Sequence, residues 1–333
     1  MSFDVSVIIP SHNRGPLIGQ TIESIVAQTR PAAEIIVVDD GSTDDTAAAV
    51  KALGAAVRYH RIEQRGPSAA RNVGAALARS RWIAFCDSDD IWFPTKLERQ
   101  LRLHALCPSL EYSMTDFVRG RPGRWESRSA FATAPAGFWS RSRREIEVGL
   151  WVWDAPLYDR FLRFQPMFPS TVLLSKRRWE RLGAFSELPV MGVCEDFEFG
   201  LRQAAVPPIG LVTEAQVGIR VHPGNRSSDV VNALLTQAAI LDYVLTAHPE
   251  AQTHAAVIRE QVGVKRALAA GRAFALGRID IVRDLSPLIE RSRRDWKLAL
   301  KLAVARLPIP AARAVQQVLV AANKWRAGAP RLG

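Results

Sequence analysis

The chain has 333 residues, 48% hydrophobic and 23% charged, with a formal net charge of +11. That is globular composition, long enough for one large domain or two ordinary ones, and it excludes a disordered or low-complexity chain. The positive surplus favours a polyanionic partner, an anionic membrane surface or a phosphate-bearing substrate.

Three cysteines, Cys86, Cys107 and Cys194, show no paired spacing, so neither a zinc knuckle nor a disulfide framework is indicated. The opening "MSFDVSVIIPSHNR" lacks a basic stretch followed by a long apolar one, and it is not read as a signal peptide. No run is expected to reach the roughly 18 apolar residues that span a bilayer. The expected compartment is a reducing cytoplasm, with the inner face of the membrane as a peripheral location.

In chain order, "VSVIIP" (Val5–Pro10) is a continuous apolar run, as in a strand covered on both faces. Leu17, Ile18, Ile22, Ile25 and Val26 follow at helical spacing. "EIIVVDD" (Glu34–Asp40) is a second buried strand, and "STDDTAAAVKAL" opens like a helix N-terminus. "AVRYH" is a weaker third strand. "GPSAARNVGAALARS" is a helix with Pro67 near its start. "WIAFCD" is a fourth strand and "PTKLERQLRLHALC" a further helix. This alternation predicts a mostly parallel, Rossmann-like α/β sheet flanked by helices.

Residues Arg119 to Phe168 are rich in Arg, Trp, Pro and Ser with weak periodicity, and are read as a long excursion over the sheet. Strand character returns at Ser170–Ser175 and in "AQVGIRVH", with a helix at Glu195–Ala205 between them. From about Val230 the chain is Ala/Leu-rich and helical. The division expected is a catalytic region over 1–228, with a nucleotide half to about 118 and an acceptor half beyond it, then a basic helical region over 229–333. From Gln261 on there are about fifteen Lys and Arg against four acids. In "RDWKLALKLAVAR", Arg294, Lys297 and Lys301 fall on one side, and Trp296, Leu300 and Val304 on another. Such a helix lies on an anionic membrane, packs on its own protein or forms a dimer seam.

In open α/β sheets, ligands bind beyond the carboxyl ends of the strands. There the chain reads "PSHNR" (Pro10–Arg14), "DDGS" (Asp39–Ser42) and "DSDD" (Asp87–Asp90). Three acids within four positions repel one another unless a positive group sits among them. Mg²⁺ is held by one or two carboxylates when phosphates complete its shell. No GxGxxG or GxxxxGK[ST] is present, so the phosphates are not cradled by a glycine-rich loop.

"VSVIIPSHNR", "VVDDGSTDDT", "GPSAARNVG", "CDSDD" and "CEDFEFGLR" stand in the order and spacing of the family 2 glycosyltransferases, which the chain resembles from about Val5 to Arg226. The resemblance implies a GT-A fold and an inverting, metal-dependent, hexosyltransferase-like enzyme using a nucleotide-diphosphate sugar, a UDP-sugar first. Its Asp-x-Asp motif matches Asp87-Ser88-Asp89. Pro10, His12, Asn13, Arg14, Asp39, Asp40, Arg71, Asp87 and Ser88 fall on the donor side. Asp89, Asp87 and His222 fall at a divalent metal, Mg²⁺ or Mn²⁺. Asp196 matches the catalytic base, and Glu195 beside it an acceptor-side residue.

The implied acceptor is a saccharide or lipid-linked saccharide in cell-surface polysaccharide assembly. Gln-x-x-Arg-Trp, the mark of processive synthases, is absent. Ser186 stands where relatives often carry an acid, and His12 where they often carry Tyr. Trp139, Trp151 and Trp153 mark an aromatic stretch that fits a sugar platform or a lid on the sheet. A sugar nucleotidyltransferase and a catalytically degenerate nucleotide-sugar-binding scaffold are the competing readings. No nucleic-acid-binding module is recognised, and an oligomer is compatible with the sequence.

Overall fold

The computed structural model describes residues 4–54, 57–140, 142–222, 224–225 and 228–328, with 322–328 as backbone. The chain forms two compact units. One is Met1–Leu188 with Glu195–Pro223, the other Pro189–Cys194 with Gly224–Gly333.

The first unit is built on a mixed sheet. Its strands are β1 (Val5–Ser11), β2 (Glu34–Asp40), β3 (Val57–Ile62), β4 (Trp82–Phe85), β5 (Ile91–Trp92), β6 (Tyr112–Arg121), β7 (Arg124–Trp125), β8 (Arg143–Glu147), β9 (Leu150–Trp153), β10 (Leu173–Ser175) and β11 (Ile209–Arg220). The order is β3-β2-β1-β4-β10-β6-β11-β9-β8, with β5 on β11 and β7 on β6. β3, β2, β1 and β4 run parallel, as does β6 beside β11. β10 is antiparallel between β4 and β6.

The helices of this unit are α1 (Gly15–Val26), α2 (Thr46–Lys51), α3 (Pro67–Leu77), α4 (Lys96–Leu106), α5 (Tyr158–Arg163), α6 (Lys176–Leu182) and α7 (Glu195–Ala205). Strand alternation sends Val5, Val7 and Ile9 into a core with Ile18, Ile22 and Ile25 of α1 and Leu97 and Leu101 of α4. Ile8 faces the other way, under α3. There a Cβ on Gly74 would lie 2.3 Å from Ile8 Cγ2. Gly74→Ala is expected to lower the thermal midpoint, because overpacking a fitted contact costs about 1–3 kcal/mol. An unchanged midpoint would show that α3 moves away freely.

The excursion expected over 119–168 does more than cross the sheet. β9 pairs with β11 and β8 with β9, extending the sheet at that edge. The strand expected at Ser170–Ser175 is shorter, because Pro169–Thr171 forms a 3-10 turn. The late strand begins at Ile209, earlier than its apolar stretch indicates. Trp153 is fully buried, and Trp139 packs among Phe131, Phe138 and Trp153. This aromatic stretch is a packed cluster, and Trp153 presents no open face to a sugar.

The second unit holds α8 (Val230–Ala247), α9 (Ala255–Ala275), α10 (Ile279–Leu285), α11 (Trp296–Ala305) and α12 (Ile309–Gly328). Its core joins Ala269, Ala273 and Phe274 of α9 to Val282, Leu298, Leu302 and Ala312. α11 turns inwards through Leu298, Leu302, Val304 and Ala305. Trp296 and Leu300, expected with Val304 on one apolar face, are exposed. The expectation about membrane spans is also amended. α8 has 18 residues of mean hydropathy 1.5, long and apolar enough to cross a membrane by length and composition. Asn232, Gln237 and Asp242 interrupt it, and it packs along α9.

Candidate active site

The carboxyl ends of β1, β2 and β4 lie side by side because the three strands are parallel neighbours. β1 ends into a loop held by hydrogen bonds to the next one. The Asn13 backbone N–H donates to Ser42 Oγ (2.9 Å), and Asn13 Oδ1 accepts from the Thr43 N–H (2.8 Å). Asn13 has φ 51°, a left-handed conformation that Asn tolerates through such local bonds. His12 Nδ1 lies 2.8 Å from the Asp40 carbonyl. A carbonyl only accepts, so Nδ1 carries the proton and the ring is fixed against β2.

The two acids of "DDGS" are deeply buried. Asp39 accepts from the Ser42 N–H (2.8 Å) and from the Tyr59 hydroxyl, and has no exposed surface. Asp40 accepts from the N–H groups of Arg65 (2.7 Å) and Gly66 (2.8 Å). Both carboxylates thus brace the loops around the strand ends. Pro10 is buried beside them in β1.

The β4 end gathers the remaining acids. Asp87 Oδ1 accepts from Arg71 Nη2 at 2.6 Å, and Arg71 Nη1 donates to Glu195 Oε1 at 2.7 Å. Arg71 rises from α3, its guanidinium buried and lying 5.0 Å over the Phe185 ring. Burial works against its charge, but Asp87 and Glu195 more than offset that. Asp89 Oδ2 accepts from Arg14 Nε (3.2 Å) and lies 3.0 Å from His222 Nε2. Ser88 is buried, its carbonyl accepting from Thr21 Oγ1 at 3.1 Å.

The crowding of acids has a physical resolution. Burial first, then the charges of Asp89 and Asp87, push the Asp90 carboxyl well above its ordinary value. The raised Asp90 carboxyl eases the mutual repulsion of the three acids. It accepts from Ser170 Oγ (2.5 Å), and that hydroxyl also accepts from the Asp87 N–H (2.9 Å). Arg220, the last residue of β11, donates to the Asp89 carbonyl, to Gln20 Oε1 (2.7 Å) and to Leu17 O (2.9 Å). It clamps the acidic loop to α1.

Asp196 opens α7 beside Glu195. Its carboxyl is pushed up to about 7, first by burial and then by the charge of Glu195, with Arg71 opposing. A helix N-terminus ordinarily favours the ionised form, so here burial wins. Across the loop, Asn72 holds Phe185 by both backbone groups, and Glu187 pairs with Arg65 (2.7 Å). Glu187 supplies an acid one position after Ser186.

The structure thus brings Arg14, Asp89 and His222 into one contact set and Asp87, Arg71 and Glu195 into another. His12, Asn13, Asp39 and Asp40 form the adjoining wall. Ser170, Arg220, Thr21 and Phe185 were not singled out from the sequence. Each is tied to the site by long-range contacts with no local signature.

Residues 6–167 match the model described as glycosyl transferase family 2. An uncharacterized glycosyltransferase of Rickettsia felis is 43% identical over 100 residues, 29% of this chain and 17% of its own length. The succinoglycan biosynthesis protein ExoO of Rhizobium meliloti is 38% identical over 137 residues, 40% of this chain and 39% of its own length. The chain therefore matches well under half the length of these curated relatives. The structure is similar to that of S. aureus TarS 1-349 in complex with UDP-GlcNAc, with TM-score 0.61 and 21% identity, covering 98% of this chain and 92% of that one. This likeness shows the fold, the GT-A arrangement of a mostly parallel sheet between helices. Over residues 6–167 the chain matches the family 2 glycosyltransferases, and the relatives and the fold together support a glycosyltransferase of that family.

Proposed function

We propose that the first unit transfers a sugar, with inversion, from a nucleotide diphosphate donor to a hydroxyl of a saccharide or lipid-linked saccharide. The observation that carries this reading is the double engagement of Arg71. One guanidinium ties the acid at the end of β4 to the acid at the start of α7. The residues assigned to the leaving side and to the attacking side thus belong to one buried charge cluster.

The donor class is supported by two TarS structures, in complex with UDP and with UDP-GlcNAc. A role in polysaccharide assembly is supported by ExoO and by a putative teichuronic acid biosynthesis glycosyltransferase of Bacillus subtilis, TuaG. In the proposed reaction, the Asp196 carboxylate accepts the proton of the acceptor hydroxyl as it attacks the anomeric carbon. The transition state has oxocarbenium character, as in glycoside hydrolysis. Glu195, fixed by Arg71, raises the Asp196 carboxyl and so supports its role as a base.

The residues present fit a divalent cation on the leaving side. Asp89 and His222 are already in contact, and Asp87 keeps a second oxygen beyond its bond to Arg71. Among the described residues, no three His, Cys, Asp or Glu groups stand as a ready ligand set. A cation that completes its shell with diphosphate oxygens needs only one or two carboxylates. Asp87, Asp89 and His222 would hold it, and when bound it supplies Lewis-acid charge for the departing diphosphate. Asp39 and Asp40 hold the walls of the nucleotide site through their loops.

The test is a panel of nucleotide-sugars incubated with and without Mg²⁺ or Mn²⁺ and scored for nucleoside diphosphate release. One UDP-sugar is expected to release UDP only when metal is supplied. Donor binding with no release from any donor or acceptor would instead establish a binding protein.

A further inference from the structure

The second unit has a cavity of its own, of about 290 Å³, lined by Arg283, Ser286, Pro287, Arg294, Leu302 and Arg306. Three of the six lining residues are arginines and none is acidic. Two of the guanidiniums are fixed in place by carbonyl oxygens. Arg283 donates through Nε to Ala305 O (2.7 Å) and through Nη2 to Leu307 O. Arg294 donates through Nε and Nη2 to Ile289 O (3.1 and 2.6 Å) and through Nη2 to Ser286 O (2.9 Å). Five N–H groups per guanidinium leave donors to spare on each. Arg306 is exposed, and among the described residues none of the three forms an ion pair.

Three cations around one hollow, two of them held in place, repel one another, and an anion there relieves the repulsion. Arginine forks match phosphate oxygens in geometry as well as charge. The segments that build the cavity also leave large apolar side chains outside. Trp296 is 71% exposed, Leu288 52%, Leu300 42% and Leu307 40%. Lys297 and Lys301 accompany them on α11. Exposed Trp and Leu beside Lys and Arg are the composition of a surface that sits at a lipid headgroup boundary.

We propose that this cavity binds the phosphate group of an anionic lipid headgroup, with Trp296, Leu288, Leu300 and Leu307 entering the adjoining apolar layer. The site belongs to the helical unit and does not rest on the transfer reaction. The shared chemistry with a soluble phosphate makes the source a matter for the test.

The full chain is tested by sedimentation with vesicles of phosphatidylglycerol in phosphatidylcholine, against phosphatidylcholine alone. Calorimetry with inorganic phosphate and pyrophosphate forms the soluble arm. Binding is expected only to the anionic vesicles, weakened about tenfold or more by Arg306→Glu and weakened also by Trp296→Ala. Arg30→Glu, the same charge change on an exposed residue of the first unit, is expected to cost much less. Circular dichroism of each variant should match the parent, since Arg306 and Trp296 are exposed. Pyrophosphate binding without vesicle binding would assign the cavity to a soluble phosphate and overturn the lipid. Equal losses from Arg306→Glu and Arg30→Glu would reduce the effect to net charge and overturn the site. Binding in neither arm would overturn it outright.

Discussion

Asp196→Asn is expected to reduce the rate of sugar transfer by about a hundredfold to ten-thousandfold, the range that a positioned general base supplies. Donor binding should survive, because Asp196 lies in the half of the charge cluster assigned to the attacking side. The wild-type profile of kcat/KM should fall on the acid side of about pH 7, where the free enzyme's carboxyl takes up its proton. Glu195→Gln removes the charge that, after burial, does most to raise Asp196, so its acid limb should move to lower pH. Stability should run the other way from activity. A carboxyl at about 7 in the fold and near 3.8 when unfolded costs stability as pH rises from the lower value to the higher. Asp196→Asn carries no such cost. It is therefore expected to be no less stable than the parent at pH 7.5, with any difference vanishing towards pH 4. Normal turnover in this variant would remove the base assignment, and a strong loss of stability at neutral pH would contradict the charge balance.

The parallel half of the sheet was legible because strands buried on both faces carry unbroken apolar runs, as Val5–Pro10 and Glu34–Asp40 do. The gathering of the candidate site residues followed from topology, since neighbouring parallel strands must end together. β6 was not legible. Its Ser113, Thr115 and Asp116 are buried yet polar, so the run shows neither alternation nor continuous apolarity. Ser113 is satisfied by His104 and Gln100, partners that a local pattern does not reveal. "DDGS" was legible as acids at a strand end, but sequence could not say which way the carboxyls point. Their partners, Tyr59, Arg65 and Gly66, come from the next strand and loop. The clamp by Arg220 was equally hidden, because its acceptors in α1 lie about two hundred positions away in the chain. α11 shows a different limit. It has two apolar stripes, and the periodicity pointed to Trp296 and Leu300, whereas Leu298 and Leu302 are the ones that turn inwards.

Arg71→Met should be the most damaging single change in the first unit, affecting both folding and transfer. The side chain is buried, and its two bonds satisfy carboxylates on separate segments. Removing one member of a buried ion cluster costs about 3–5 kcal/mol, since the charges left behind have lost their partner. The Asp87 side chain is 29% exposed, so solvent relieves part of that and the lower end is expected. Burial already raises Asp87, and Arg71 is the largest influence holding it down. Without Arg71 the Asp87 carboxyl rises further and protonates more readily. The stability deficit should therefore shrink as pH falls and widen as pH rises. Asp196 also loses an opposing charge, so residual activity should need a higher pH than in the parent. Arg71→Lys keeps the charge but cannot fork to Asp87 and Glu195 together, so it should recover stability in part and transfer poorly. Adding Asp87→Asn to Arg71→Met removes one stranded charge. Unfolding by urea should then show a smaller deficit than Arg71→Met alone, while transfer stays low. If Arg71→Met unfolds like the parent across pH 5 to 8, the two carboxylates do not depend on this guanidinium, and the single cluster joining leaving and attacking sides does not exist.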